Sequence, residues 1–336
     1  GEINTANYNL MLGDSAGVSL VSGIGNIGVG VEALRDNVQG FTNIAIGNNA
    51  LRKTTTSNGL ALGNSALANN TSGVFNYAIG HGALGNNIDG FYNLALGEGA
   101  LNHNVSGYGN TAVGHFTQFY TLGNANTSLG YEAMYTNTTG VNNTAIGNFA
   151  LHNSAVADYN TAVGANALNN SIAGDNTAIG AYAMYSTTSG HDNVSVGTSA
   201  MYYTTTGEFN TAIGFGSLFN NTDGDYNVGL GANSGVLNGD RYNTVGIMNT
   251  NTLNEVNNKI TIGNTSTTWI GGPVGWSVLS DARIKTDVQE DVAGLEFINR
   301  LRPVTYHKST DLQLQLTGNE PMPEFPGSRD AENIRY

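Results

Sequence analysis

Twenty-five Asp and Glu side chains and six histidines are the groups of this 336-residue chain that can hold a metal or move a proton. The histidines are His81, His103, His115, His152, His191 and His307. A metal site needs several such ligands converging on one point. His81 and His115 take the same place in a repeat but two repeats apart, ~10 Å, too far to share an ion. The six read as surface or loop histidines. Asp175, Asp192, Asp223 and Asp225 carry the oxygens that calcium prefers, yet the G-G-x-G-x-D nonapeptide of calcium-binding β-rolls is absent. Aspartates such as Asp89, placed before Gly90, are turn residues. Glycoside hydrolysis needs two carboxylates across a cleft, and spacing selects no pair. With no Cys, thiolate sites and disulfides are excluded. No cofactor and no metal are expected.

Two other patterns have chemical content. Phe41, Phe75, Phe91, Tyr108, Tyr159, Phe209 and Tyr226 each stand just before a recurring Asn position and form an incomplete aromatic stripe. Such rings suit glycan stacking, and equally turn packing or a contact between chains. Threonines cluster at Thr54–Thr56, Thr138–Thr139 and Thr204–Thr206, in turns rather than on a flat strand face, which argues against ice binding.

The elements that must position these side chains follow from an unusual composition. Gly accounts for 46 residues, and charged residues make up 11% of the chain, against roughly 7% Gly and 25% charge in ordinary domains. Collagen is excluded, because Gly has no three-residue period and Pro totals five. No apolar stretch approaches the ~20 residues of a membrane-spanning helix. Gly disfavours long helices by ~1 kcal/mol per position. The net charge of −13 argues against a nucleic-acid partner.

Composition also divides the chain. All five prolines follow residue 272, and residues 1–279 hold 5 of the 12 basic and 15 of the 25 acidic side chains. The first part is a repeat. Gly13, Gly30, Gly47, Gly63, Gly80, Gly97, Gly114, Gly130, Gly147, Gly164, Gly180, Gly197, Gly214 and Gly231 recur every 16 or 17 residues. An aliphatic residue precedes each of these fourteen glycines. Asn stands four residues before in thirteen copies, Gly59 being the exception; Ala stands three after in eleven, and the next position is Leu or Met in eleven. That period is too short for propeller blades or helical repeats and fits one coil of a parallel β-solenoid. Stacked coils would pair Thr144–Gly147 with Thr161–Gly164 at about 4.8 Å. Strand alternation puts the aliphatic residue on one face and Ala on the other, the Ala side being either a narrow interior or a close contact between chains. Asn43, Asn76, Asn93, Asn110, Asn143, Asn160, Asn176, Asn193, Asn210 and Asn227 would form an amide ladder. Few charges are expected, since stacked positions would set like charges ~5 Å apart.

The unit N-T-A-I-G-x-x-A-L over residues 9–235 resembles the head repeats of trimeric autotransporter adhesins, with two or three residues added per coil. That resemblance implies a left-handed parallel β-roll, three chains associating side by side. The unit also recurs in proteins similar to phage tail fibres. Farther on, Ser280-Asp281-Ala282-Arg283-Ile284-Lys285-Thr286-Asp287-Val288, then Leu301-Arg302-Pro303-Val304-Thr305-Tyr306, resembles the intramolecular chaperone of endosialidases and phage tail fibres over residues 277–308. The resemblance implies self-cleavage at Ser280–Asp281, with Ser280 as nucleophile and Lys285 as its general base. A Lys desolvated enough to lose its proton can activate a hydroxyl. The plainer alternative is that Ser280 and Lys285 cap and solvate the start of a helix. Apolar Leu295, Phe297, Ile298 and Leu301 predict a helix over Val292–Leu301, ended by Pro303.

The expectation is an all-β protein: a solenoid shaft over 1–235, a connector with short strands over 236–279, and a chaperone-like segment over 280–336. Its expected function is a structural or adhesive extracellular fibre, on a cell surface or virion, with itself as partner in a homotrimer. A self-polymerising head-to-tail filament and a glycan-degrading tailspike are the alternatives. A cell-surface glycan is a second conceivable partner. No turnover is expected beyond a single self-cleavage.

Overall fold

The computed structural model describes residues 2–4, 7–235, 241–248 and 256–270. They belong to the first of two units, Gly1–Ile270 and Gly271–Tyr336. Ser280, Asp281, Lys285, His307 and the helix expected at Val292–Leu301 lie outside the described residues.

Seventeen short strands form one sheet. The first, β1 (Glu2–Asn4), runs antiparallel to β2 (Asn9–Leu12). From β2 to Ile260–Ile262 sixteen strands pair in parallel, each with the strand one coil away, as in Thr144↔Thr161, Ala145↔Ala162 and Ile146↔Val163. Strands Val245–Ile247 and Ile260–Ile262 continue this register beyond the fourteenth glycine. No helix occurs among the described residues. Over the described residues the protein is an all-β parallel β-solenoid of about fourteen turns.

Left-handed backbone makes the coil so short. Each of the fourteen repeat glycines has φ between +113° and +141°, a region closed to side chains. Residues two and four places later also turn left, as at Asn49 (φ 58°) and Leu51 (φ 48°), and so does the residue before the recurring Asn, as at Asn142 (φ 57°). In eleven copies the fourth-place residue is a buried apolar side chain, with Gly17, Gln118 and Gly235 in the others, and a β-branched side chain is strained at positive φ. That explains Leu and Met there, and never Val or Ile. Around the coil, backbone amides bond to neighbouring coils: Ile27 N–H to Asn43 O (2.8 Å), Gly30 N–H to Leu12 O (2.8 Å), Leu34 N–H to Ala50 O (3.1 Å).

The two faces of the strand are now distinguishable. Ala45, Ala78, Ala145 and Ala178 point inward and are fully buried, while Ile46 and Ile146 point outward, 44% and 38% exposed. The interior is a narrow slot filled by strand Ala, turn Ala and turn Leu or Met. Small Ala belongs to the interior, and the close approach of one coil to the next belongs to the glycines.

Candidate functional site

The Asn residues at the start of most strands, just before the first paired residue, are the most repeated polar group in the interior. All ten ladder positions, Asn43, Asn76, Asn93, Asn110, Asn143, Asn160, Asn176, Asn193, Asn210 and Asn227, are buried, together with Asn9, Asn26 and Asn126 of the same column. Each amide joins three pieces of chain. Asn143 Oδ1 accepts the backbone N–H of Asn160 (2.9 Å), and its Nδ2 donates to Ala157 O (2.7 Å) where its own coil ends. Asn26, Asn93 and Asn210 act the same way. A buried amide that closes one coil and receives the next removes donors and acceptors that would otherwise be costly. At Gly59 the column has no side chain, and Thr56 Oγ1 supplies the missing donor to Gly73 O (2.9 Å).

A second buried polar column lies where the coil turns back. It runs Asn37, Thr54, Asn70, Asn87, Asn104, Thr121, Asn137, Ser154, Ser171, Thr187, Thr204 and Asn221. Asn87 Nδ2 donates to Asn70 Oδ1 (2.7 Å) and to Gly90 O (3.1 Å). Sequence reading did not single it out, although a signal exists: seven residues after the glycine, twelve successive copies hold only Asn, Thr or Ser.

The outer surface separates by chemistry. On the sixteen parallel strands the two outward positions carry Thr, Tyr77 or aliphatic side chains and no charge; the last strand position is aliphatic in every strand. Leu12, Leu96, Leu129, Ile179 and Ile213 are 40–54% exposed there. The strip is ~75 Å long and ~10 Å wide, of order 750 Å². That footprint, part of it threonine, is close to one side of a standard interface.

Among the described residues, charges other than Glu2 lie in turns and loops. Arg35 reaches Glu32 (3.1 Å) and Asp36 (2.8 Å), and its hydrogen bond holds the Asp36 carboxyl below the ordinary carboxylate range. Glu98 lies between His81 and His115, which are indeed in alternate coils, at 3.8 and 3.2 Å. His152 pairs with Glu132 (2.9 Å). No group of three or more His, Asp or Glu among the described residues is arranged to hold a metal ion. Asp158, Asp175, Asp192, Glu208 and Asp225 occupy one corner of successive coils, where His191 contacts Asp192 (2.8 Å) and Glu208 (3.0 Å).

That corner is pH-sensitive. The hydrogen bond to Asp192, then the charges of Glu208 and Asp175, raise the His191 pKa above its ordinary value. A raised folded-state pKa stabilises fully below the unfolded value near 6.5 and is lost as pH rises through the folded one. Thermal stability should therefore be slightly higher at about pH 6 than about pH 8.5. The gain is a fraction of 1 kcal/mol, because the ring is 40% exposed. His191→Gln should remove that part of the pH dependence, measured as Tm against pH; an unchanged profile contradicts the assignment.

The aromatic stripe is partly paired ring to ring. Phe91 stacks on Tyr108 (4.9 Å, 2°), Phe209 on Tyr226 (5.0 Å, 8°), and Phe75 on Tyr92 (5.3 Å, 17°). Two further columns, Phe119–Tyr135–His152 and Tyr185–Tyr202–Phe219, repeat at 5.3–5.5 Å. Threonine hydroxyls in the turns bond across coils, as Thr55 to Thr71 O (2.8 Å) and Thr138 to Ala155 O (2.8 Å).

Beyond the solenoid, the family model for the chaperone of endosialidase (Peptidase S74) matches residues 280–319. That span contains Ser280, Asp281 and Lys285. Comparison with curated proteins and with solved structures returns no match.

Proposed function

We propose that the chain is a structural fibre protein, an extracellular tail-fibre or surface-adhesin shaft that assembles side by side with two copies of itself. The uncharged, largely aliphatic strip along sixteen strands carries this reading, because a shaft with an uncharged sheet face of ~750 Å² gains by covering its apolar part. The strip runs the length of the stack, so it favours lateral rather than end-to-end contact. β1, antiparallel on the edge of β2, covers one end of the ladder and weighs against head-to-tail growth. Stacked rings already spend their faces on each other, which favours packing over a glycan platform.

The chaperone match supports a C-terminal segment that helps the fibre assemble. In this reading Ser280 is the nucleophile and Lys285 the base of one self-cleavage at Ser280–Asp281. The intact mass of the chain and of Ser280→Ala should differ after expression in its longest form. Wild type should yield a product ending at Ser280, and the variant only the uncut mass; two uncut masses would end the cleavage part of the reading and leave the shaft part standing.

A further inference from the structure

The buried apolar column runs from Ala33 to Ala112 and again from Ala133 to Leu218, with a break between. In the coil from Gly114 to Gly130, Thr117 and Gln118 replace the turn Ala and Leu, and Ser128 replaces the next strand Ala. Ser195 and Ser217 also replace single alanines, but Met201 and Leu218 keep that part continuous. Gln118 is fully buried. Its Nε2 donates to Thr111 O (2.9 Å) and Ser128 Oγ (2.7 Å), while its Oε1 has no donor. Thr121 Oγ1 and Asn104 Oδ1, adjacent in the second polar column, are buried without partners as well. Thr187 and Thr204 leave the same kind of hydroxyl unpaired in that column, so what sets this coil apart is Gln118 Oε1, an unpaired acceptor inside the otherwise apolar slot.

A solenoid is nearly one-dimensional, so its weakest coil interface decides where it opens. This interface has lost apolar burial and carries an unpaired buried acceptor, each of which destabilises. Outside, Phe116 packs on Phe119 (5.5 Å), Phe119 on Tyr120 (4.8 Å), and Tyr120 on Tyr135 of the next coil (5.3 Å), holding the joint closed from the surface. We propose that the rod is two cooperative halves, Ala33–Ala112 and Ala133–Leu218, meeting at a polar joint in the Gly114–Gly130 coil that opens before either half. Heat or axial load then yields at this coil while both ends stay folded. The inference rests on neither the assembly nor the cleavage reading.

Native-state hydrogen exchange on the intact chain tests it. Amides in 111–128 should exchange at least ~tenfold faster than those in 77–101 and 145–168. Equal or slower exchange in 111–128 would overturn the proposal. The variant Thr117→Ala/Gln118→Leu/Ser128→Ala restores the repeat and should erase the difference; a folded variant that keeps it would show that the polar residues are not the cause. Should that variant not fold, the wild-type comparison alone decides.

Discussion

Gly147→Ala should destabilise the solenoid by about 3–5 kcal/mol and lower Tm by roughly 10 °C, although it adds one methyl group. The φ of Gly147 is +137°, where an L side chain is strained. Its added Cβ would lie 2.5 Å from the carbonyl oxygen of Gly164 in the next coil. That oxygen belongs to the backbone and cannot swing away without moving a coil. The same clash recurs along the column, so one substitution pries two coils apart. Gly25 is the control: its φ is +70°, and nothing lies nearer its added Cβ than Thr42 Cγ2 at 3.8 Å. Gly25→Ala should cost no more than about 1 kcal/mol. Equal melting curves for the two variants would contradict the stacking geometry.

Asn143→Ala should cost about 2–4 kcal/mol, more than its small loss of volume implies. Removing the amide leaves the Asn160 N–H without its acceptor and the Ala157 carbonyl without this donor; the weaker bond to Asn126 Oδ1 (3.2 Å) is also lost. Asn143→Asp keeps an acceptor for Asn160 but loses the donor and buries a charge, so it should be worse at neutral pH and recover as the carboxyl protonates in acid. Denaturation of both variants at two pH values checks this. A neutral Asn143→Ala would mean that the column is decoration.

Much of this architecture was legible in the sequence because stacking forces equivalent positions to solve the same problem. The glycine, the strand Ala and the Asn declare the coil length and the parallel register. Period-two alternation separated Ile146 from Ala145 but left open which one faced inward. Backbone conformation settled that, since the left-handed turn after Gly147 leaves a slot wide enough only for Ala145 and Ala150 beside Leu151. The second polar column escaped notice because Asn, Thr and Ser alternate there, so no single letter repeats as it does at Asn143. Gln118 shows the opposite case: one letter out of place at a repeated position marks a physical interruption. The chemical candidates Ser280 and Lys285 were legible only through their resemblance to a chaperone, because no repeat constrains that segment.

The most direct test of the shaft reading is the mass of the assembled protein in solution, by sedimentation equilibrium on the full chain. A side-by-side shaft should give three times the single-chain mass, and Ile146→Asp/Val163→Asp, which charges the outward strip without touching the interior, should dissociate it while keeping the β-rich circular dichroism. A folded wild-type chain that sediments as a monomer would contradict the account.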